Sequence, residues 1–124
     1  MTASERAVEL AEIAAQAASD KLATDIVAID VSDHLALTDV FVLASADNDR
    51  QVRAIADAIE AALDEVDVDP LRREGQREGR WILLDYLDIV VHVQHVEERS
   101  YYALERLWKD CPMLPLPEFS RGAS

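Results

Sequence analysis

A serine and three aspartates are the side chains of this sequence whose types and spacing could do chemistry. Ser45, Asp47 and Asp49 follow one apolar run, and Asp85 lies in a corner between two others. Carboxylates that hold two metal ions close together while a phosphate chain docks are the basis of nucleotidyl transfer. This stretch has no glycine to approach a phosphate, and only two arginines stand near it. Helix capping accounts for Asp47 and Asp49 without metal. A metal-dependent nucleotidyl-transfer enzyme is therefore only the alternative function.

The remaining candidates for metal or nucleophile chemistry form no recognisable constellation. His92 and His95 lie three positions apart on a predicted strand, which places them on opposite faces, and His34 lies in a distant turn. Cys111 is the sole cysteine, so the chain can form no internal disulfide and no thiolate metal site. We therefore predict no catalytic residue, no metal and no cofactor.

The charge balance restricts the kind of partner. Twelve basic and twenty-five acidic residues give a net charge of −13, whereas nucleic-acid binding relies on lysine and arginine to neutralise phosphates. A basic protein surface is the partner that such a chain attracts. No apolar run approaches the length of a membrane span and no signal segment is evident. We expect a soluble cytoplasmic protein without membrane contact and without nucleic acid as its main contact.

Hydropathy patterns predict elements in the order αββαβββα. A capping box at residues 2–5 opens the first helix. The second helix has its apolar stripe over residues 52–66, with Asp47, Asn48 or Asp49 as its cap and Asp69-Pro70 as its end. A final helix is predicted over residues 99–108. Strands are predicted over residues 26–31, 39–44, 71–74, 81–84 and 89–93. This order favours an α/β (α+β) fold with a mixed five-stranded sheet on which helices pack. One domain is predicted over residues 1–112, and the prolines from residue 112 onward indicate a flexible C-terminal tail over 113–124.

The stretch from Trp81 to Val96 carries the most information. Apolar runs at residues 81–84 and 89–93 meet at a tight corner whose sequence is Asp-Tyr-Leu-Asp, residues 85–88. Runs of this kind suit strands that are covered on both faces, so two carboxylates and an aromatic ring at their junction are conspicuous. They lie where a sheet edge or loop presents them to a partner or to a reaction.

Several blocks of the chain, in register, resemble the ribosomal silencing factor family, also called Iojap-related proteins. The match extends over about residues 5–112 and includes DVFVLAS from Asp39, DRQVRAIA from Asp49, EG at Glu74, WILLDY from Trp81, DIVVHV from Asp88 and RSYYALERLW from Arg99. Two positions depart from the pattern. Leu87 stands where family members often have glycine, and Gln94 stands where they often have phenylalanine or a similar residue.

The resemblance implies a fold similar to that of nucleotidyltransferases but without their enzymatic equipment. It also implies that the chain is not an enzyme and binds the large ribosomal subunit through the fourteenth protein of that subunit, at the intersubunit face. Binding there would block joining with the small subunit and repress translation during starvation or slow growth. A homodimer in isolation is a further implication of the resemblance.

Interfaces concentrate their energy in aromatic and arginine side chains, with a few charges that set the register. On this basis the predicted contact residues are Trp81, Leu83, Asp85, Tyr86 and Asp88, with Arg99 and Tyr102 behind or beside them. Strand alternation places Trp81, Leu83 and Asp85 on one face and Tyr86 on the other, so these side chains cannot all face one partner.

Overall fold

Helices and strands make up most of the computed structural model, which describes residues 2–117. In chain order they are α1 (Glu5–Asp20), β1 (Thr24–Asp30), β2 (Val40–Ala46), α2 (Asp49–Asp64), β3 (Arg72–Glu74), β4 (Trp81–Asp85), β5 (Ile89–His95), α3 (Val96–Tyr102), α4 (Leu104–Leu107) and β6 (Met113–Leu114). The sheet has the strand order β3-β4-β5-β2-β1-β6. β2 and β5 are parallel, whereas the other neighbouring pairs are antiparallel. The predicted mixed α/β layer is confirmed.

The predicted count of five strands was wrong, because a sixth strand forms at the edge. Met113 and Leu114 pair with β1, and the amide of Asp30 donates to the carbonyl of Pro112 at 2.8 Å. Two residues between prolines show no periodicity, so only pairing with β1 defines them as a strand. They lie within the segment predicted as a tail, and residues 118–124 of that prediction lie outside the described residues.

The larger core lies between one face of the sheet and the helices α1 and α2. The hydroxyl of Ser4 accepts a hydrogen bond from the amide of Ala7 at 3.1 Å, which caps α1, and Asn48 caps α2 in the same way. Alanines dominate the inner side of α1, which allows it to pack closely on the sheet. Larger side chains fill the remaining space from α2, namely Val52, Ile55, Ile59 and Leu63. Within residues 2–117, no helix has the length and apolarity that a membrane crossing needs.

Among residues 2–117, the other face of the sheet is covered mainly on the side of β1 and β2. There Leu104 and Trp108 pack against a small cluster that includes Ile29 and Leu43. The helix predicted over residues 99–108 is interrupted, because Ala103 adopts a left-handed conformation with φ of 45°. Leu104 and Trp108 therefore pack on this face, whereas Tyr101, before the interruption, is 82% exposed.

Candidate protein-docking face

The open part of the second sheet face presents four side chains that the sequence predicted as contacts. Trp81, Leu83 and Asp85 alternate along β4 and are all partly exposed, whereas the intervening Ile82 and Leu84 are buried in the main core. Tyr102, at the end of α3, places its ring 4.8 Å from the ring of Trp81. We call Trp81, Leu83, Asp85 and Tyr102 the Trp81 face. The predicted alternation along β4 is confirmed.

A buried histidine holds the indole of Trp81 in place. Trp81 Nε1 donates to Nδ1 of His92 at 3.1 Å, and His92 lies directly opposite Leu83 in the β4–β5 hairpin. The ring of Phe41 packs on His92 at 4.9 Å. Burial lowers the pKa of His92 from 6.5 to about 4, so the imidazole is neutral at pH 7 and can accept this bond. An aromatic side chain that is already oriented loses less entropy when a partner covers it.

Sequence reasoning did not assign His92 to this face, although the chain carries a signal for it. A tight hairpin centred on residues 87 and 88 brings His92 opposite Leu83, and alternation then places both side chains on the same side as Trp81. The sequence pattern predicted that His92 and His95 lie on opposite faces, but it did not predict which side chains contact either ring.

Arg99 is buried and acts as a brace for α3 rather than as an exposed contact. Its guanidinium donates to Glu105 at 2.9 Å, to the carbonyl of Asp25 at 2.6 Å and to the hydroxyl of Ser45 at 3.3 Å. Although burial opposes ionisation, the hydrogen bond from Arg99 lowers the pKa of the Glu105 carboxyl. These bonds tie α3 to β1, β2 and α4. The brace therefore fixes the end of α3, where Tyr102 meets Trp81.

The corner between β4 and β5 is held by its own carboxylate. Oδ1 of Asp85 accepts from the amide of Leu87 at 2.9 Å, while its other oxygen lies 3.6 Å from the guanidinium of Arg72. The carbonyl of Asp88 accepts from the amide of Asp39 at 2.9 Å. The side chain of Asp88 is partly exposed, and it remains beside the Trp81 face as a predicted contact.

Tyr86 requires a correction to the predicted contact set. Its side chain is only 5% exposed and packs in the main core with Ile82 and Leu84. Burial raises the pKa of its hydroxyl, which keeps it protonated. The ring is therefore not accessible to a partner in this structure, because alternation directs it towards the helices.

The structure does not assemble the site of the alternative function. Asp47 and Asp49 follow the end of β2, whereas Asp85 pairs with Val90, which in turn pairs with Phe41 near the start of β2. At about 3.3 Å per residue, the two ends are on the order of 20 Å apart. Two metal ions in a nucleotidyl-transfer site lie about 4 Å apart. A site built from these three aspartates is excluded.

One group of potential cation ligands occurs among residues 2–117. His95, Glu97 and Glu98 bring ligand atoms within 4.8 Å of one another. Arg80 already donates to both carboxylates, at 2.7 and 2.6 Å, and this hydrogen bonding lowers the pKa of Glu97. Nδ1 of His95 accepts from the amide of Glu97 at 3.1 Å. The guanidinium of Arg80 thus occupies the place that a metal cation would take between the two carboxylates. His95, Glu97 and Glu98 form a network that caps the start of α3.

A mixed six-stranded sheet, with helices on one face and a partly open second face, places the chain among small α/β proteins. The model of a family described as ribosomal silencing factor during starvation matches residues 4–123. The chain is 45% identical over 105 residues to ribosomal silencing factor RsfS of Bacillus subtilis (85% of this chain, 89% of that protein). It is 29% identical over 103 residues to the chloroplastic protein Iojap of Zea mays (83% of this chain, 45% of that protein).

Solved structures agree with these sequence comparisons. A crystal structure of a Chromobacterium violaceum protein matches with a TM-score of 0.80 at 35% identity, covering 94% of each chain. One from Bacillus halodurans matches with a TM-score of 0.78 at 37% identity, covering 88% of this chain and 99% of that one. The chain belongs to the ribosomal silencing factor family, and the predicted resemblance is confirmed. Membership indicates a regulatory factor rather than an enzyme.

Proposed function

We propose that this protein is a non-enzymatic translation silencer that binds the large ribosomal subunit through the fourteenth protein of that subunit. Bound at the intersubunit face, it blocks joining with the small subunit and represses translation in the cytoplasm during starvation or slow growth. Family membership supports the silencing role. The partner, the site on the subunit and the block to joining are our proposals.

The Trp81 face is the observation that carries the proposal. Its tryptophan is oriented from below by His92 and flanked by Tyr102, while Leu83 extends the apolar surface beside it. Tryptophan and tyrosine at the centre of an apolar patch are the side chains that most often dominate protein–protein binding energy. The face is partly exposed although the rest of β4 is in the core, so a partner that docks here would complete its burial.

Charge indicates the chemistry of that partner. A chain with a net charge of −13 is repelled by bare ribosomal RNA and attracted to a basic protein patch. The partly exposed Asp88, next to the turn at the edge of the Trp81 face, offers a carboxylate to such a patch. Attraction of this kind speeds association and weakens as salt screens it. We therefore expect slower association with the large subunit at higher ionic strength.

Sedimentation of ribosomal subunits tests this proposal. Wild-type protein should comigrate with the large subunit and reduce the fraction of joined ribosomes when both subunits are mixed. Trp81→Ala should lower comigration and restore joining, because it removes the central ring of the face. Val66→Ala is a matched control, since Val66 is also exposed but lies on the helical side of the protein, and it should behave as wild type.

Two outcomes would contradict the proposal. Full comigration of a folded Trp81→Ala variant would show that the Trp81 face is not the docking surface. Comigration of the wild type without any loss of joined ribosomes would show that binding does not block subunit joining. Circular dichroism of each variant checks that the fold is retained. We also propose that the isolated protein is a homodimer, and light scattering, which measures its molar mass, tests this.

A further inference from the structure

The backbone at Leu87 adopts a conformation that leucine rarely takes. Residues 86–89 form the two-residue turn between β4 and β5, in which the amide of Tyr86 donates to the carbonyl of Ile89 at 2.9 Å. Leu87 is the first central residue of this turn and has φ of +72°. Hairpin turns with positive φ at this position favour glycine, because a side chain there crowds the backbone. The turn therefore forms at a cost to the stability of the fold.

The side chain of Leu87 is only partly covered within the protein. It is 42% exposed, and it is absent from both hydrophobic clusters among residues 2–117. Its position is defined by Asp85, whose carboxylate holds the Leu87 amide. On the other side of Asp85, the amide of Leu71 donates to the Asp85 carbonyl at 2.7 Å, and Leu71 is 69% exposed. Two exposed leucines thus lie near Asp85 through backbone hydrogen bonds, and Leu87 is the one in the turn at the acidic end of the Trp81 face.

We infer that Leu87 is a contact and specificity residue for the protein partner that covers the Trp81 face, a role that rests on the proposed function. Strained backbone clusters at functional sites, and the strain at Leu87 lies at the edge of the Trp81 face. The partner chemistry that fits this end of the face is an apolar side chain for Leu87 beside a basic group for the neighbouring Asp88. Binding buries the leucine and recovers the apolar contact that the folded protein lacks.

The chain contains a matched control for Leu87. Leu22 is also a leucine in the left-handed region, with φ of 62°, and it is 64% exposed. It follows α1, where the amide of Ala23 donates to the carbonyl of Ala18 at 3.0 Å in a turn that likewise favours glycine. Since α1 packs on the opposite side of the sheet from the Trp81 face, Leu22 shares the strain of Leu87 but not its location.

Three variants of the full chain separate contact from strain. Leu87→Gly removes the side chain and the strain, Leu87→Ala removes most of the side chain but keeps the strain, and Leu22→Gly relieves strain elsewhere. Both glycine variants should raise the Tm by about 3 °C, which rules out misfolding as a cause of weak binding. Both Leu87 variants should bind the large subunit about tenfold more weakly, whereas Leu22→Gly should bind as wild type.

The inference is overturned if both Leu87 variants bind the large subunit as tightly as wild type while Trp81→Ala loses binding. That pattern leaves the proposed function in place and makes Leu87 a tolerated strained residue. If Trp81→Ala also binds as wild type, the proposed docking face fails together with this inference. Weaker binding by Leu22→Gly to the same extent as Leu87→Gly would also overturn it, because loss of binding would then not depend on location.

Discussion

Replacing His92 by asparagine tests the buried hydrogen bond under Trp81 through the pH dependence of stability. In the folded protein the pKa of His92 is lowered from 6.5 to about 4 by burial. Between these two values the unfolded chain binds more protons at this position than the folded one. The free energy of unfolding therefore falls as the pH drops from about 6.5 towards 4. Asparagine supplies an acceptor for the indole of Trp81 and does not titrate.

The size of the effect follows from the two pKa values. At about 1.4 kcal/mol per pKa unit, the interval sets an upper limit of about 3 kcal/mol. Between pH 7.5 and pH 5, about 2 kcal/mol of this is expressed, because only part of the titration interval is crossed. We expect wild type to lose about 2 kcal/mol more than His92→Asn over this range. Carboxylates that titrate in the same range are common to both proteins and cancel in the comparison.

Urea unfolding at the two pH values provides the measurement. His92→Asn should be less stable than wild type at pH 7.5, since the smaller side chain leaves space beside Phe41 and Leu83, but its stability should depend less on pH. His34→Asn is the matched control for the loss of one histidine, because His34 is exposed and its ring contacts Trp108 rather than Trp81. Equal pH dependence in wild type and His92→Asn would refute the buried, neutral histidine. An NMR titration of the His92 ring in wild type that gave a midpoint near 6.5 would refute it directly.

Arg99 and the two glycines of the β3–β4 hairpin give two further predictions about stability. Arg99→Met removes the three hydrogen bonds that brace α3. At about 1 kcal/mol each, their loss should lower the free energy of unfolding by about 3 kcal/mol in urea titrations; an unchanged midpoint would contradict the brace. A Cβ at Gly75 would lie 1.9 Å from the carbonyl oxygen of Trp81, whereas at Gly79 its nearest neighbours are at 3.0 Å and include the end of a flexible arginine. Gly75→Ala should therefore lower the Tm clearly more than Gly79→Ala does; equal effects would show that close approach at Gly75 does not matter.

Local patterns determined much of the fold and part of the docking face. The apolar stripe of α2 has period 3.6, and its capping asparagine lies just before it, so the helix was predictable from sequence alone. Alternation along β4 was sufficient to separate Trp81 and Leu83 from their neighbours. The interruption at Ala103 was not predictable, since nothing in its neighbours favours a left-handed residue. Arg99 bonds to Asp25 and Ser45, which are distant in the chain, and to Glu105, which follows Ala103, and these bonds hold the chain on both sides of the interruption.

What the sequence determined by itself were properties that depend on neighbours along the chain: the periodic elements, the tight β4–β5 corner, the net charge and the family. The tertiary structure decided which residues meet across the sheet. It placed Asp85 at the far end from Asp47, which removed the metal site. It placed His92 beneath Trp81, which orients the docking face, and it turned two residues of a predicted tail into a strand. These outcomes depend on strand order and register, which long-range pairing sets and local propensity does not.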